Sequence, residues 1–326
     1  SVGMHGIQTS GNTIRNITSD ATAGVAPDEI VDTRPFAEIL RQWSTLHPEF
    51  AFLPRKFKIA FNGAEEDRAA TGWYDIGLQA QKDEAGAVGF TVKVGGGMGR
   101  TPIVGSVVRE FLPWAELLNY IEAVVRVYNR YGRRDNKWKA RIKILVKAEG
   151  QRFIDEVEAE YQAILRQDGA PHTITSAELA RVQASFVVPA LTPASVPSET
   201  TLSSKPFQRW MARNVAPHRL AGLTLVTLSF KRTGWAPGDA DAGTLEALAD
   251  LAERFSAGEA RLTHEQNLIL PWVHAGDLPA LYEAARGLGL AQPNIGLLTD
   301  MIACPGGDFC SLANARSLPI AAAITE

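Results

Sequence analysis

The chain has 326 residues, of which 45% are hydrophobic and 21% are charged, a composition typical of a globular protein with more than one core. Its formal net charge of -3 gives no global positive field, so we expect neither a nucleic acid nor an anionic membrane surface as partner. No apolar run approaches the roughly 20 residues that span a bilayer, and the first residues lack the pattern of a secretory signal. We therefore expect a cytoplasmic protein.

The first half of the chain alternates between two secondary-structure periods. Strands are indicated where apolar and polar residues alternate, and helices where apolar residues recur every three or four positions. Residues 138–150 fit both periods, and we favour a helix there. The other predicted elements are a helix at 36–46, strands at 55–63, 71–79 and 87–97, and helices at 113–131 and 151–166.

The second half begins with a region rich in Ala, Pro, Ser and Thr, at residues 167–207, which predicts a linker. Beyond it the patterns indicate the order β-α-β-β-α, which is most of a ferredoxin-like unit. Together with the first half, this order predicts an α+β fold. The five elements are expected at 223–230, 243–258, 260–265, 267–273 and 277–289.

Two lysines lie on one face of the strand predicted at 55–63. Lys56 and Lys58 alternate with apolar residues, so the period of two directs both ammonium groups away from the buried face. Such a pair can hold a small anion. By pattern alone, two ordinary lysines on a solvated edge strand are the favoured interpretation.

Both cysteines of the chain lie in the segment CPGGDFC, as Cys304 and Cys310. Proline and two glycines between them predict a tight loop rather than a helix or strand. Thiolates suit zinc or iron–sulfur ligation, but zinc pairs usually have two to four intervening residues and a closed site requires four ligands. The spacing alone is equally compatible with two unrelated, small apolar cysteines.

Several motifs, in one order along the chain, resemble the hemoprotein of the sulfite/nitrite reductase family, bacterial assimilatory type. The resemblance covers nearly all of the chain except the linker. The motifs are QTSGNTIRNITSD, LPRKFKIAFNG, VKVGGGMGRTP, NRYGRRDNKWKARIK, RLTHEQNLIL, PNIGLLTD and CPGGDFCSLANA.

This resemblance implies siroheme and a [4Fe-4S] cluster as cofactors. Cys304 and Cys310 match the first of two cysteine pairs that hold the cluster in the family. The second pair and the first ferredoxin-like half would lie outside this chain, so we expect a central piece of a longer enzyme that is inactive by itself. The implied domains are a siroheme-binding reductase domain at 1–166, the linker at 167–207, a ferredoxin-like half-domain at 208–290 and the start of a second reductase domain at 291–326.

The resemblance also assigns site residues and an activity. Arg15, Lys56 and Lys58 match the anion-binding catalytic cations, with Arg15 also facing the cofactor, and Arg261 and Asn267 match a second cofactor-facing strand. The implied reaction is the six-electron reduction of sulfite to sulfide, with ferredoxin or a flavoprotein as electron donor. Plant-type nitrite reductases tend to have Asn where this chain has Lys58, which favours sulfite. Nitrite reduction to ammonia and a non-catalytic cofactor-binding homologue are the alternatives.

Two further segments receive weaker interpretations. The glycine run at 95–99 lacks the strand-to-helix context of a dinucleotide fingerprint, so it predicts a loop of close backbone approach. Residues 126–147 contain nine Lys or Arg residues and one acid, Asp135. This basic run could meet siroheme carboxylates or an acidic electron donor, although a solvated helix face is favoured for its individual residues.

Overall fold

The computed structural model describes residues 6–99, 101–191, 204–311 and 313–326. The chain divides into two units: the first comprises Ser1–Gly24 with Asp28–Val187, and the second comprises Val25–Pro27 with Val188–Glu326. No helix within the described ranges is long and apolar enough to cross a membrane.

The first unit is built on a five-stranded mixed sheet with the order β1-β2-β3-β4-β5. The pairs β1–β2 and β2–β3 are parallel, and the other two pairs are antiparallel. The three predicted strands are confirmed as β2, β3 and β4, whereas β1 and β5 had not been predicted. The bounds are β1 Ile14–Ser19, β2 Phe57–Asn62, β3 Ile76–Lys82, β4 Val88–Val94 and β5 Ser106–Pro113.

Helices cover the sheet of the first unit and complete its core. The predicted apolar stripe of α2 is fully buried, from Leu117 to Tyr128, and packs with the inward side chains of the sheet. The ambiguous segment at 138–150 forms the helix α3, as favoured. The bounds are α1 Arg34–Ser44, α2 Leu117–Tyr131, α3 Ile142–Glu149, α4 Gln151–Arg166 and α5 Ser176–Gln183.

The second unit contains an antiparallel sheet with the order β6-β7-β9-β8. Its elements β7, α7, β8, β9 and α8 follow one another as β-α-β-β-α, so the predicted order is confirmed. The strands are β6 Val215–Pro217, β7 Leu223–Leu228, β8 Arg261–Leu262 and β9 Leu268–His274; the helices are α6 Lys205–Asn214, α7 Ala242–Phe255, α8 Leu278–Gly287, α9 Gly306–Phe309 and α10 Leu318–Thr325.

Two segments differ from the prediction. The region expected as linker contains the helix α5, which Thr175 caps by accepting a hydrogen bond from the N–H of Glu178, and the start of α6. Residues 192–203 of that region lie outside the described residues. Between the two cysteines the chain forms one helical turn, α9, because Pro305 already has helical dihedral angles and the N–H of Cys310 closes the turn on the carbonyl of Gly306.

Candidate anion and cluster site

The strand β2 lies inside the sheet, between β1 and β3. The alternative of a solvated edge strand is therefore wrong, and the role of the two lysines stays a prediction. Phe57 and Ile59 are fully buried, while Lys56, just before the strand, and Lys58, its second residue, are half-buried. The alternation thus fixes the strand through its apolar side chains and leaves both ammonium groups partly open to solvent.

Arg15 joins the two lysines through an irregularity in the β1–β2 ladder. Ile14 pairs with Phe57 and Asn16 pairs with Lys58, so Arg15 is the extra residue of a bulge opposite the start of β2. Bulges redirect a side chain relative to a regular strand. The structure therefore brings Arg15 to the segment that carries Lys56 and Lys58, as the charge effects described next also indicate.

Positive charges influence one another in this cluster. Burial lowers the pKa of Lys56, and the positive charge of Lys58 lowers it further. Three guanidinium groups act on Lys56 in the same direction: those of Arg141, Arg15 and Arg55. Burial likewise lowers the pKa of Lys58, with Arg141 as the next largest cause. A small anion would relieve this mutual repulsion, so the arrangement is suited to anion binding. We call these five residues the cation cluster.

The buried carboxylate of Asp75 is the counter-charge to the cation cluster. Its Oδ2 accepts a hydrogen bond of 2.9 Å from the backbone N–H of Lys58, and its Oδ1 accepts bonds of 3.1 and 2.8 Å from Nε and Nη2 of Arg141. Burial raises the pKa of the Asp75 carboxyl, and the ion pair with Arg141 opposes that shift. One carboxylate thus ties the main chain of β2 to the N-terminus of α3.

The glycine-rich loop packs directly beside this ion pair. Nζ of Lys143 donates hydrogen bonds to the carbonyls of Gly97, Met98 and Thr101, at 3.3, 3.0 and 2.7 Å. A Cβ at Gly96 would lie 2.3 Å from the carbonyl oxygen of Gly72, so only glycine fits there. The predicted close backbone approach is confirmed.

Asn267 and Arg261 form hydrogen bonds with other residues of the second unit. Asn267 is buried; its Nδ2 donates to Oδ1 of Asp300 at 2.8 Å, and its Oδ1 accepts from the N–H of Phe230 at 3.2 Å. Arg261 donates from Nε to Glu259 at 2.6 Å. These bonds describe a network internal to the unit, and the cofactor role of both residues stays a prediction.

The cysteines fit a metal cluster in kind but not in number. Both thiols are free; Cys304 is exposed and Cys310 is partly exposed, so soft thiolate donors are accessible. Among the described residues, neither cysteine belongs to a group of three or more potential ligands. A [4Fe-4S] cluster is held by four cysteine ligands, so these two would be half of such a set, and their role as ligands stays a prediction.

Sequence reasoning missed Asp75, Arg141 and Lys143. A carboxylate within the segment predicted as a strand at 71–79 was the available signal for Asp75, because a buried charge requires a partner. Arg141 and Lys143 belong to the basic run at 126–147, whose residues were expected to be solvated. For these two that expectation is wrong, since the ion pair and the three carbonyls hold them inside the first unit.

The mixed sheet that carries the cation cluster, the ferredoxin-like unit and the two free cysteines indicate an α+β redox protein. The family model described as "Nitrite and sulphite reductase 4Fe-4S domain" matches residues 10–165, and that described as "Nitrite/Sulfite reductase ferredoxin-like half domain" matches residues 232–288. The chain belongs to the nitrite and sulfite reductase family, whose members are oxidoreductases with siroheme and a [4Fe-4S] cluster.

This chain is similar to relatives named as nitrite reductases and to relatives named as sulfite reductases. A chloroplastic ferredoxin–nitrite reductase of Arabidopsis thaliana is 28% identical over 100% of this chain and 51% of its own length. Sulfite reductase [ferredoxin] 1 of Mycolicibacterium paratuberculosis is 27% identical over 97% of this chain and 50% of its own. The structure of Mycobacterium tuberculosis NirA matches with a TM-score of 0.68 and 26% identity, over 95% of this chain and 50% of that one. This chain spans about half the length of these relatives.

Proposed function

We propose that this chain forms the anion-binding part of an assimilatory sulfite reductase, an oxidoreductase that reduces sulfite to sulfide with six electrons. The observation that carries the proposal is the cation cluster, in which Lys56 and Lys58 are half-buried with Arg15 beside them. A second lysine at position 58 favours the sulfite dianion over nitrite, which carries a single negative charge.

The cations offset the cost of holding an anion against an electron-rich centre. At an effective dielectric constant of about 20, one charge pair at about 4 Å contributes about 4 kcal/mol. Two or three convergent cations thus compensate for substantial desolvation and repulsion. Their positions are set before the anion arrives, because β2 is held by its neighbours and by Asp75.

The two ammonium groups also supply protons. Conversion of sulfite to sulfide removes three oxygens as water, so each departing oxygen needs two protons. A lysine whose pKa is lowered gives up its Nζ proton more readily than an exposed lysine, and Lys56 and Lys58 both meet this condition. Siroheme and the [4Fe-4S] cluster, when bound, supply the electrons. Cys304 and Cys310 would hold the cluster as two of its four ligands.

Ferredoxin is the proposed electron donor, since several similar relatives carry that donor in their names. A flavoprotein donor is the alternative. We propose the cytoplasm as the location of the enzyme.

Product analysis tests the proposal. The full-length natural protein is purified, supplied with reduced ferredoxin, and assayed for sulfide from sulfite and for ammonium from nitrite. A higher kcat/KM for sulfite supports the proposal. A higher value for nitrite would assign the enzyme to nitrite reduction, and no turnover of either anion by protein loaded with both cofactors would indicate a non-catalytic homologue.

A further inference from the structure

Three potential metal ligands converge in the first unit, at residues other than those of the cation cluster. One ligand atom from each of His47, Glu122 and His172 lies within 4.8 Å of the other two. His47 precedes the short turn Pro48–Phe50, Glu122 lies on α2, and His172 lies in the loop after α4. Among the described residues, this is the one such group of three.

The carboxylate of Glu122 is directed into this group and lacks a hydrogen bond on one oxygen. Its side chain is 3% exposed. Its Oε1 pairs with Nη2 of Arg126 at 2.8 Å, whereas Oε2 has no hydrogen-bond partner among the described residues, although Nε2 of His172 is 3.1 Å away. A buried carboxylate oxygen without a partner is costly, and a bound cation would satisfy it.

Both histidines are positioned by their surroundings. The ring of His47 stacks on Phe50 with centroids 3.9 Å apart. The backbone N–H of His172 donates to Oδ1 of Asn119 at 3.0 Å, and Nδ2 of Asn119 donates to Oγ1 of Thr173 at 2.9 Å. The loop that carries His172 is thus attached to α2 one turn before Glu122. A partly ordered ligand set loses less entropy when it binds a metal.

The distances and charges suit a divalent cation. Ligands at about 2.0–2.1 Å from a tetrahedral zinc lie about 3.3 Å from one another, close to the 3.1 Å between His172 and Glu122. The ligand atoms are at most 4.8 Å apart, so a side-chain shift of about 1.5 Å brings the longest distance to the spacing of tetrahedral zinc ligands. Arg126 is the nearby cation, and it is surrounded by carboxylates: those of Glu49, Glu122, Glu160 and Asp168.

We infer that His47, Glu122 and His172 form a zinc-binding site, with water in the remaining position. Two imidazoles and a carboxylate are borderline ligands that zinc accepts. The ion would link three segments that are distant in sequence: the turn after α1, the helix α2 and the loop after α4. The site therefore has a structural role and is independent of the proposed reductase reaction.

Zinc binding by the full-length protein tests this inference. The protein is stripped with a chelator, dialysed against Zn²⁺ and analysed for zinc per chain by mass spectrometry, with affinities from chelator competition. We expect one zinc that is lost, or bound at least about tenfold more weakly, in Glu122→Gln and in His172→Asn. Glu84→Gln, at an exposed carboxylate, and His264→Asn are controls that should retain it.

A thermal melt distinguishes loss of the ligand from loss of the fold. Zinc should raise the Tm of the natural protein and of both controls but not that of the two ligand variants. His47→Asn provides a third variant, at a partly exposed ligand position. Equal zinc stoichiometry and affinity in all variants, or loss of zinc only in the two controls, would overturn the inference.

Discussion

The backbone N–H of Lys58 donates a 2.9 Å hydrogen bond to the buried carboxylate of Asp75. A residue of the cation cluster is thereby held through its main chain rather than its side chain. This hydrogen bond does not use the ammonium group of Lys58, and the other oxygen of the carboxylate accepts hydrogen bonds from Arg141.

Replacing Lys56 or Lys58 with Met should reduce kcat/KM for sulfite by about 100-fold, by analogy with the loss of one preorganised electrostatic group. The fold should survive because Phe57, Ile59 and Phe61 carry the strand. The measurement is turnover of the full-length protein, with siroheme absorption as the check on cofactor content. Lys82→Met, at an exposed lysine of β3, is the matched control. Unchanged turnover in both variants would remove the lysines from the site.

Lys58→Asn should raise the ratio of nitrite to sulfite turnover. An amide can donate a hydrogen bond to either anion, but it supplies neither the positive charge nor the proton that sulfite reduction requires. The ratio is obtained from sulfide and ammonium formed by the same preparation. If it stays constant, substrate preference depends on residues other than Lys58.

Sulfite binding should weaken as the pH rises through a value below the ordinary pKa of lysine. The protonated ammonium binds the anion, and the pKa of Lys56 and that of Lys58 are lowered, so both lose their protons earlier than an exposed lysine does. In the double variant Lys56→Arg and Lys58→Arg the charge persists, and the rise in KM should move to higher pH. The test is KM for sulfite against pH in both proteins; superimposable profiles would contradict the assignment.

Asp75→Asn should destabilise the first unit by about 3–5 kcal/mol, because it leaves the guanidinium of Arg141 buried without its counter-charge. Urea unfolding of the full-length protein measures the change. Asp135→Asn breaks the exposed pair with Arg133 and serves as the control, with no measurable loss expected. Equal effects of the two substitutions would show that the buried ion pair contributes no more to the free energy of unfolding than the exposed pair.

Cys304→Ser in the full-length protein should abolish stable [4Fe-4S] binding, since serine is a poor ligand for iron in place of thiolate. The 326-residue chain alone should hold fewer than four irons after anaerobic reconstitution, because it has two cysteines. Iron and sulfide analysis with the visible spectrum reports both outcomes. A full cluster bound stably by the short chain as a monomer would refute the ligand count.

The periodicity of apolar residues predicted the elements that bury one apolar face of their own. The strand at β2 and the helix α2 each have an apolar face that their own residues specify. The strand β1 was not predicted, because it carries Arg15, Asn16 and Thr18 among few apolar residues and is held by parallel pairing with β2. Such pairing is a long-range relationship that local pattern does not contain.

The site was predictable in part for the same reason. Lys56 and Lys58 followed from the period of two, but the importance of Asp75 and Arg141 depends on residues 66 positions apart that meet only after folding. Burial of Lys143 could not be read from the basic run at 126–147. In the sequence it resembles a surface lysine, whereas in the structure its ammonium group donates to three carbonyls.

The alternation along β2 separates two kinds of evolutionary constraint within six residues. Substitutions at Phe57, Ile59 or Phe61 act on the core, whereas Lys58 lies outside it and, under the proposed function, a change there acts on the bound anion. Under that proposal, preference between related anions can change through one side chain at position 58, without a compensating change in the scaffold.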